Sequence, residues 1–73
     1  MNRKSLSVVI ALYLVLGTWK GYIALFEGNS SEPRQIFPNQ VALLPPHDQK
    51  ALEKGIIVRS EEKLQQLLED FLS

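Results

Sequence analysis

The feature that most limits the fold of this chain is an apolar run at residues 6–19, LSVVIALYLVLGTW, which follows the basic residues Arg3 and Lys4. The run has no polar face, and the rest of a 73-residue chain could not cover it as a buried core helix. A helix of this length rises about 21 Å, whereas the hydrocarbon core of a bilayer is about 30 Å thick. The run therefore predicts either a signal segment or a membrane helix that continues past Trp19.

We expect an uncleaved anchor over residues 1–20, because the small residues near the end of the run stand among bulky neighbours and make a poor cleavage site. The basic start favours an N-terminus on the cytoplasmic side of the cytoplasmic membrane and a head on its outer side. Secretion after signal cleavage is the alternative. The apolar side chains of the predicted anchor are Leu6, Val8, Val9, Ile10, Leu12, Leu14, Val15, Leu16 and Trp19.

The net charge of zero conceals an uneven distribution. Before Glu27 the charged side chains are Arg3, Lys4 and Lys20, whereas the rest of the chain has five Lys or Arg against eight Asp or Glu, which leaves −3. An acidic head argues against nucleic acid, which requires clustered basic side chains. The chain has no cysteine, so neither a disulfide nor a thiolate zinc site can form.

The head is predicted over residues 21–73 as an α+β domain, with a β-hairpin or a short three-stranded sheet packed by two helices. Residues 22–26 alternate apolar side chains as a strand does, although they could instead prolong the membrane helix. We expect the helix to end near Trp19 and residues 22–26 to begin the head. Residues 34–37 would supply the returning strand, which Pro38 would stop.

Residues that typically begin or end helices divide the second half of the head into elements. Pro45 and Pro46 open a short helix that Gly55 closes, and residues 56–58 fit a third strand or an extended linker. Ser60 is a good N-cap for a last helix, whose apolar residues recur on one face. The side chains expected in the head core are Phe26, Phe37, Leu52, Ile56, Val58, Leu64, Leu67, Leu68 and Phe71.

The sequence contains no convincing catalytic pattern. The one histidine, His47, precedes Asp48, but no Ser or Cys stands in a nucleophile motif and no further ligands stand at metal spacing. A chain this short also buries too little surface for a deep catalytic cleft. We therefore expect no enzyme activity, no catalytic residues, no metal, no cofactor, no nucleic acid and no small-molecule substrate.

Three short motifs follow one another in the head. GYIALFEG occupies residues 21–28, Leu-Pro-x-x-Asp-Gln-Lys begins at Leu44, and Gly-Ile-x-Val-x-Ser-Glu-Glu begins at Gly55. Their order resembles the C-terminal domain of the bypass-of-forespore C protein family, of which short membrane-anchored versions occur in spore-forming Firmicutes. The resemblance covers residues 21–73, and its most specific part is the pair of motifs that begin at Leu44 and Gly55.

The resemblance implies a small α/β domain, with a short sheet and two helices, that is exported across the cytoplasmic membrane. The family includes a secreted sporulation regulator that is thought to restrain a signalling protease between mother cell and forespore. This chain has an apolar anchor in place of the separate N-terminal domain of that regulator. Lys63 also stands where a Glu would complete a capping box after Ser60. The resemblance implies no catalytic residues.

These observations predict a membrane-tethered, extracytoplasmic regulatory or interaction module that acts in sporulation through an unidentified protein partner. The alternative is a small structural membrane protein that self-associates through its anchor helix. Gly17 and Thr18 are the only pair of small residues in the span, and they form no small-xxx-small pattern, so the sequence gives this alternative little support.

Overall fold

The structure is a computed structural model that describes residues 13–28 and 30–72. Within these residues four strands form one antiparallel sheet in the spatial order β3-β2-β1-β4, and two α-helices accompany it. The predicted α+β class is confirmed, with four strands in place of the expected two or three. In chain order the elements are β1 (Leu14–Trp19), β2 (Tyr22–Glu27), β3 (Gln35–Gln40), a 3₁₀ helix (Val41–Leu43), α1 (Pro46–Lys54), β4 (Ile56–Val58) and α2 (Glu61–Leu72).

The end of the apolar run is a strand. The prediction of a helix is wrong for Leu14, Val15, Leu16 and Trp19, which lie in β1. This strand pairs with β2 on one side and with β4 on the other, so its backbone polar groups find partners within the head. The remaining residues of the predicted anchor, Leu6, Val8, Val9, Ile10 and Leu12, lie outside the described residues. In the described ranges neither α-helix is long and apolar enough to cross a membrane.

A two-residue turn joins β1 to β2. Lys20 and Gly21 both have positive φ, at 51° and 89°, and the pair Trp19 and Tyr22 closes the hairpin. Positive φ at both central residues is the requirement of a type I′ turn, whose twist matches that of the flanking strands. The domain boundary predicted at residue 20 therefore falls inside the first hairpin of the sheet.

The second and third strands follow the sequence with one exception. Residues 22–26 form a strand as predicted, and β3 returns beside it. The prediction that Pro38 ends the returning strand is wrong, because β3 continues to Gln40 with a register shift between the pairs made by Ala24 and Tyr22. A proline cannot donate to a sheet, so it is tolerated here because β3 is an edge strand.

The helix ends are built by the residues that the sequence indicated. Pro46 is the first residue of α1, and Gly55 ends the helix with a φ of 91°. The Gly55 N–H donates to the carbonyls of Ala51 and Leu52, at 3.1 Å each. The Ser60 Oγ accepts the Lys63 N–H at 3.1 Å and caps α2. Residues 56–58 form β4 rather than a linker.

The hydrophobic core lies on the side of the sheet that α2 packs against. Its buried side chains are Leu16, Ile23, Leu25, Phe37, Val41, Leu52 and Val58. Partly buried side chains packed against them are Leu14, Leu44, Ile56, Leu64, Leu67, Leu68, Phe71 and Leu72. Among the residues predicted for the core, only Phe26 is in neither set, because it lies on the other side of the sheet.

Candidate interaction surface

The side of the sheet opposite the core carries a second set of apolar side chains, which we call the aromatic face. The register pairs Val15 with Phe26 and Ile57, and it pairs Trp19 with Tyr22. Directly paired residues of antiparallel strands lie on the same side of a sheet, and successive residues lie on opposite sides. The aromatic face therefore comprises Val15, Trp19, Tyr22, Phe26, Ile36 and Ile57.

Small residues occupy the centre of this face. Ala24 is fully buried, and a Cβ placed on Gly17 would lie 3.4 Å from the carbonyl oxygen of Leu52 and 3.6 Å from the Phe26 ring. Gly17 thus lets the end of α1 approach β1 closely. Trp19 and Phe26 meet edge to face beside it, with ring centroids 6.3 Å apart and an interplanar angle of 62°. The two rings therefore pack against each other on this side of the sheet.

The rim of the aromatic face is open to solvent. Tyr22 is 38% exposed, Ile36 is 50% exposed and Ile57 is 55% exposed. An open depression of about 350 Å³ adjoins the β3 edge, where Phe37 and Pro38 complete its lining. Single exposed apolar residues are ordinary on protein surfaces, but several on the same side of one sheet favour a binding surface.

Two cations flank the aromatic face. The Lys20 Nζ lies 5.4 Å from the centroid of the Trp19 ring, and the Arg59 guanidinium carbon lies 5.5 Å from the centroid of the Tyr13 ring. Such cation–π contacts hold the charges beside the rings. Glu27 pairs with Leu14 and so lies on the core side of the sheet. No Asp or Glu occupies a strand position of the aromatic face, although the head as a whole is acidic.

The residues considered for chemistry do not converge. His47 is exposed at the start of α1, and Asp48 follows it. Within the described ranges, no group of three or more His, Asp or Glu side chains could hold a metal ion. A cleft of about 160 Å³ opens between β4 and the start of α2, where Arg59 and Glu61 contribute to its lining. The hydroxyl of Ser60, which also lines it, is engaged in capping α2.

Sequence reasoning missed the aromatic face because it assigned Trp19 to the anchor and Phe26 to the core. The signal that could have revealed it is the alternation of side chains between the two sides of a strand, applied to residues 14–19 as well as to residues 22–27. On one side of the strand the small Gly17 lies between the larger Val15 and Trp19, and Gly21 is a turn residue between two apolar stretches.

A scan against protein-family models identifies the domain. The BofC C-terminal domain matches residues 12–73. The chain belongs to the BofC C-terminal domain family. This confirms the resemblance seen in residues 21–73, and it extends the domain to include β1, which the sequence alone had assigned to the anchor. The BofC family is linked to the regulation of sporulation. No curated protein and no solved structure matches the chain.

Proposed function

We propose that this BofC-type domain is a non-catalytic interaction module that acts outside the cytoplasmic membrane during sporulation, attached to that membrane by the apolar segment before β1. The observation that carries the proposal is the aromatic face, an apolar side of the sheet with three exposed side chains around a buried centre and with two flanking cations. Such a surface is suited to binding a large partner rather than to transforming a small one. The family's link to sporulation is the reason for proposing that the domain acts in that process.

The attachment that we propose is shorter than a membrane span. Nine residues lie between Lys4 and Leu14, and as a helix they would rise about 14 Å, which is roughly half of the hydrocarbon core. A spanning helix would have to take its missing length from β1. The folded sheet and a full span through residues 14–19 are therefore mutually exclusive. We infer that the segment lies in the outer interface of the bilayer, where Arg3 and Lys4 keep their charges among the headgroups, with the head beside it in water.

Self-association through an anchor helix gains nothing from the structure. Gly17 and Thr18, the small pair on which such a contact would depend, lie in β1. Gly17 is buried there against Leu52 of α1. No observation favours this second function over the first.

The test of the proposed function uses the full-length chain with a C-terminal tag in a spore-forming bacterium that carries the gene. We expect the intact, uncleaved mass in the membrane fraction and a tag that protease removes from spheroplasts. Deleting the gene should change the timing or yield of spores. A shortened, soluble product would instead indicate a cleaved signal, and an unaltered spore yield after deletion would contradict the role in sporulation.

The aromatic face is tested in the same strain by complementation. A copy carrying Ile36→Asp and Ile57→Asp should fail to restore the deletion phenotype, because both side chains are half exposed and contribute more to the surface than to the core. The matched control is Leu43→Asp, which changes an apolar side chain that is 81% exposed and lies outside the face. This control should complement fully. Equal complementation by the two variants would indicate that the function does not depend on the aromatic face.

A further inference from the structure

The aromatic face combines aromatic rings with positive charge in a pattern that suits a lipid surface. Trp and Tyr rings favour the boundary between hydrocarbon and water, and Trp19 and Tyr22 lie side by side on this face. Lys20 and Arg59 hold their charges beside rings on the same side of the molecule. Basic side chains near a membrane are attracted to anionic headgroups.

The distribution of the acidic residues sharpens this charge pattern. The strand positions of the aromatic face contain no Asp or Glu, and most of the exposed carboxylates belong to the helices. Those helical residues are Glu53 in α1, a helix that also carries Lys50 and Lys54, and Glu61, Glu62, Glu69 and Asp70 in α2. An anionic surface would therefore attract the aromatic face and repel the α2 side of the head.

An apolar segment immediately precedes β1 in the sequence. The apolar residues from Leu6 to Leu12 end at Tyr13, whose ring holds Arg59 and whose carbonyl accepts the Gly28 N–H at 3.0 Å. No Gly, Pro or polar linker separates that segment from β1. A head attached to a bilayer through this segment is consequently kept within a few residues of the headgroups.

We propose that the aromatic face docks onto the anionic surface of the membrane to which the chain is attached, with α2 turned toward the aqueous side. This inference rests on the proposed membrane attachment, and it identifies the anionic membrane surface as what the aromatic face binds. A second copy is a poorer occupant, because a twofold contact would bring Lys20 and Arg59 of both copies into one interface whose strand positions offer no Asp or Glu. Folding the preceding segment back over the face would require a reversal at Leu12 and Tyr13, where the sequence offers no turn residue.

The test uses the full-length chain bound to lipid vesicles. The chain has no cysteine, so Ile57→Cys and Leu43→Cys each introduce a single reactive thiol at an exposed apolar position, one on the aromatic face and one away from it. A water-soluble maleimide then measures access to each thiol. Vesicles of phosphatidylcholine alone are compared with vesicles in which phosphatidylglycerol replaces part of it. We expect the thiol at residue 57 to react much more slowly on the anionic vesicles and the thiol at residue 43 to react equally on both.

Charge variants test the electrostatic contribution of Lys20 and Arg59 to docking. Lys20→Asn with Arg59→Gln should lower the ratio of docked to undocked head by about 30-fold, since each basic side chain near an anionic surface contributes about fivefold. Asn is chosen because it tolerates positive φ in a type I′ turn. The matched control, Lys50→Gln with Lys63→Gln, removes the same charge from the exposed helices and should leave the protection unchanged.

The possible results separate this inference from the proposed attachment. If the chain floats with vesicles but both thiols react equally fast on the anionic lipid, docking is refuted while attachment stands. If the chain does not float with any vesicle, attachment itself fails. Protection of residue 57 that is the same on neutral and anionic vesicles would also overturn the proposal, because it would indicate cover by the chain's own segment or by a second copy.

Discussion

Replacing Leu16 with alanine tests the placement of residues 14–19 in the sheet. Leu16 is fully buried in an inner strand, between its partners Leu25 and Ile56. Truncating a buried leucine costs about 2–5 kcal/mol, through lost transfer free energy and the cavity that remains. A domain of about sixty residues has a free energy of unfolding of roughly 3–9 kcal/mol. Leu16→Ala should therefore remove a large part of the stability of the head.

Urea denaturation of the full-length chain in a mild non-ionic detergent measures this loss. Trp19 is the only tryptophan, and it lies in β1, so its fluorescence reports the unfolding of the sheet. With a slope of about 1 kcal/mol per molar urea for a small domain, the midpoint should fall by about 2 M or more. Leu43→Ala, at a site 81% exposed, should stay within about 0.5 kcal/mol of the unsubstituted chain.

The two variants would behave differently if residues 14–19 formed a membrane helix. Leu16 would then face lipid or a neighbouring helix, and its truncation would leave the unfolding of the head unchanged. Equal urea midpoints for Leu16→Ala and Leu43→Ala would therefore refute the assignment of β1.

Three further substitutions test local features by the same urea titration. Gly55→Ala should cost about 1–3 kcal/mol, because Gly55 has a φ of 91° and its added Cβ would lie 3.0 Å from the Val15 Cγ1. Ser60→Ala should cost about 0.5–2 kcal/mol through loss of the cap of α2, which far-ultraviolet circular dichroism would also detect. Gln49→Ala should cost about 1 kcal/mol, because the Gln49 side-chain amide donates to the Leu44 carbonyl at 2.7 Å.

Each of these substitutions has a control in the chain. Gly21→Ala adds the same methyl group at a similar φ of 89° in open space and should cost less than Gly55→Ala, whereas an equal loss would contradict the role assigned to steric contact at Gly55. Ser31→Ala and Gln66→Ala change exposed residues of the same types and should have little effect. If the controls and the tested variants lost equal stability, neither the cap nor the amide bridge would explain the result.

The local features of the head could be read from the sequence because they depend on neighbouring residues. Proline at the start of α1, glycine at its end and serine before α2 act through backbone geometry and short-range hydrogen bonds. The apolar spacing of α2 likewise indicated which of its faces packs on the core. The motifs beginning at Leu44 and Gly55 were sufficient to suggest the family that the comparison confirmed.

The outcome for residues 14–19 depended on partners far away in the chain. An apolar run with no polar face fits a membrane helix as well as a strand, because in both environments its side chains leave water. Only the pairing of β1 with β2 and with β4, which lies about forty residues further on, supplies the hydrogen bonds that make the strand complete. The sequence alone indicated the helix caps and the family, whereas the tertiary structure decided that the last six residues of the apolar run belong to the sheet. The same pairing sorts the aromatic residues of the hairpin onto the face opposite the core, because side chains alternate along a strand only once its partners fix its register.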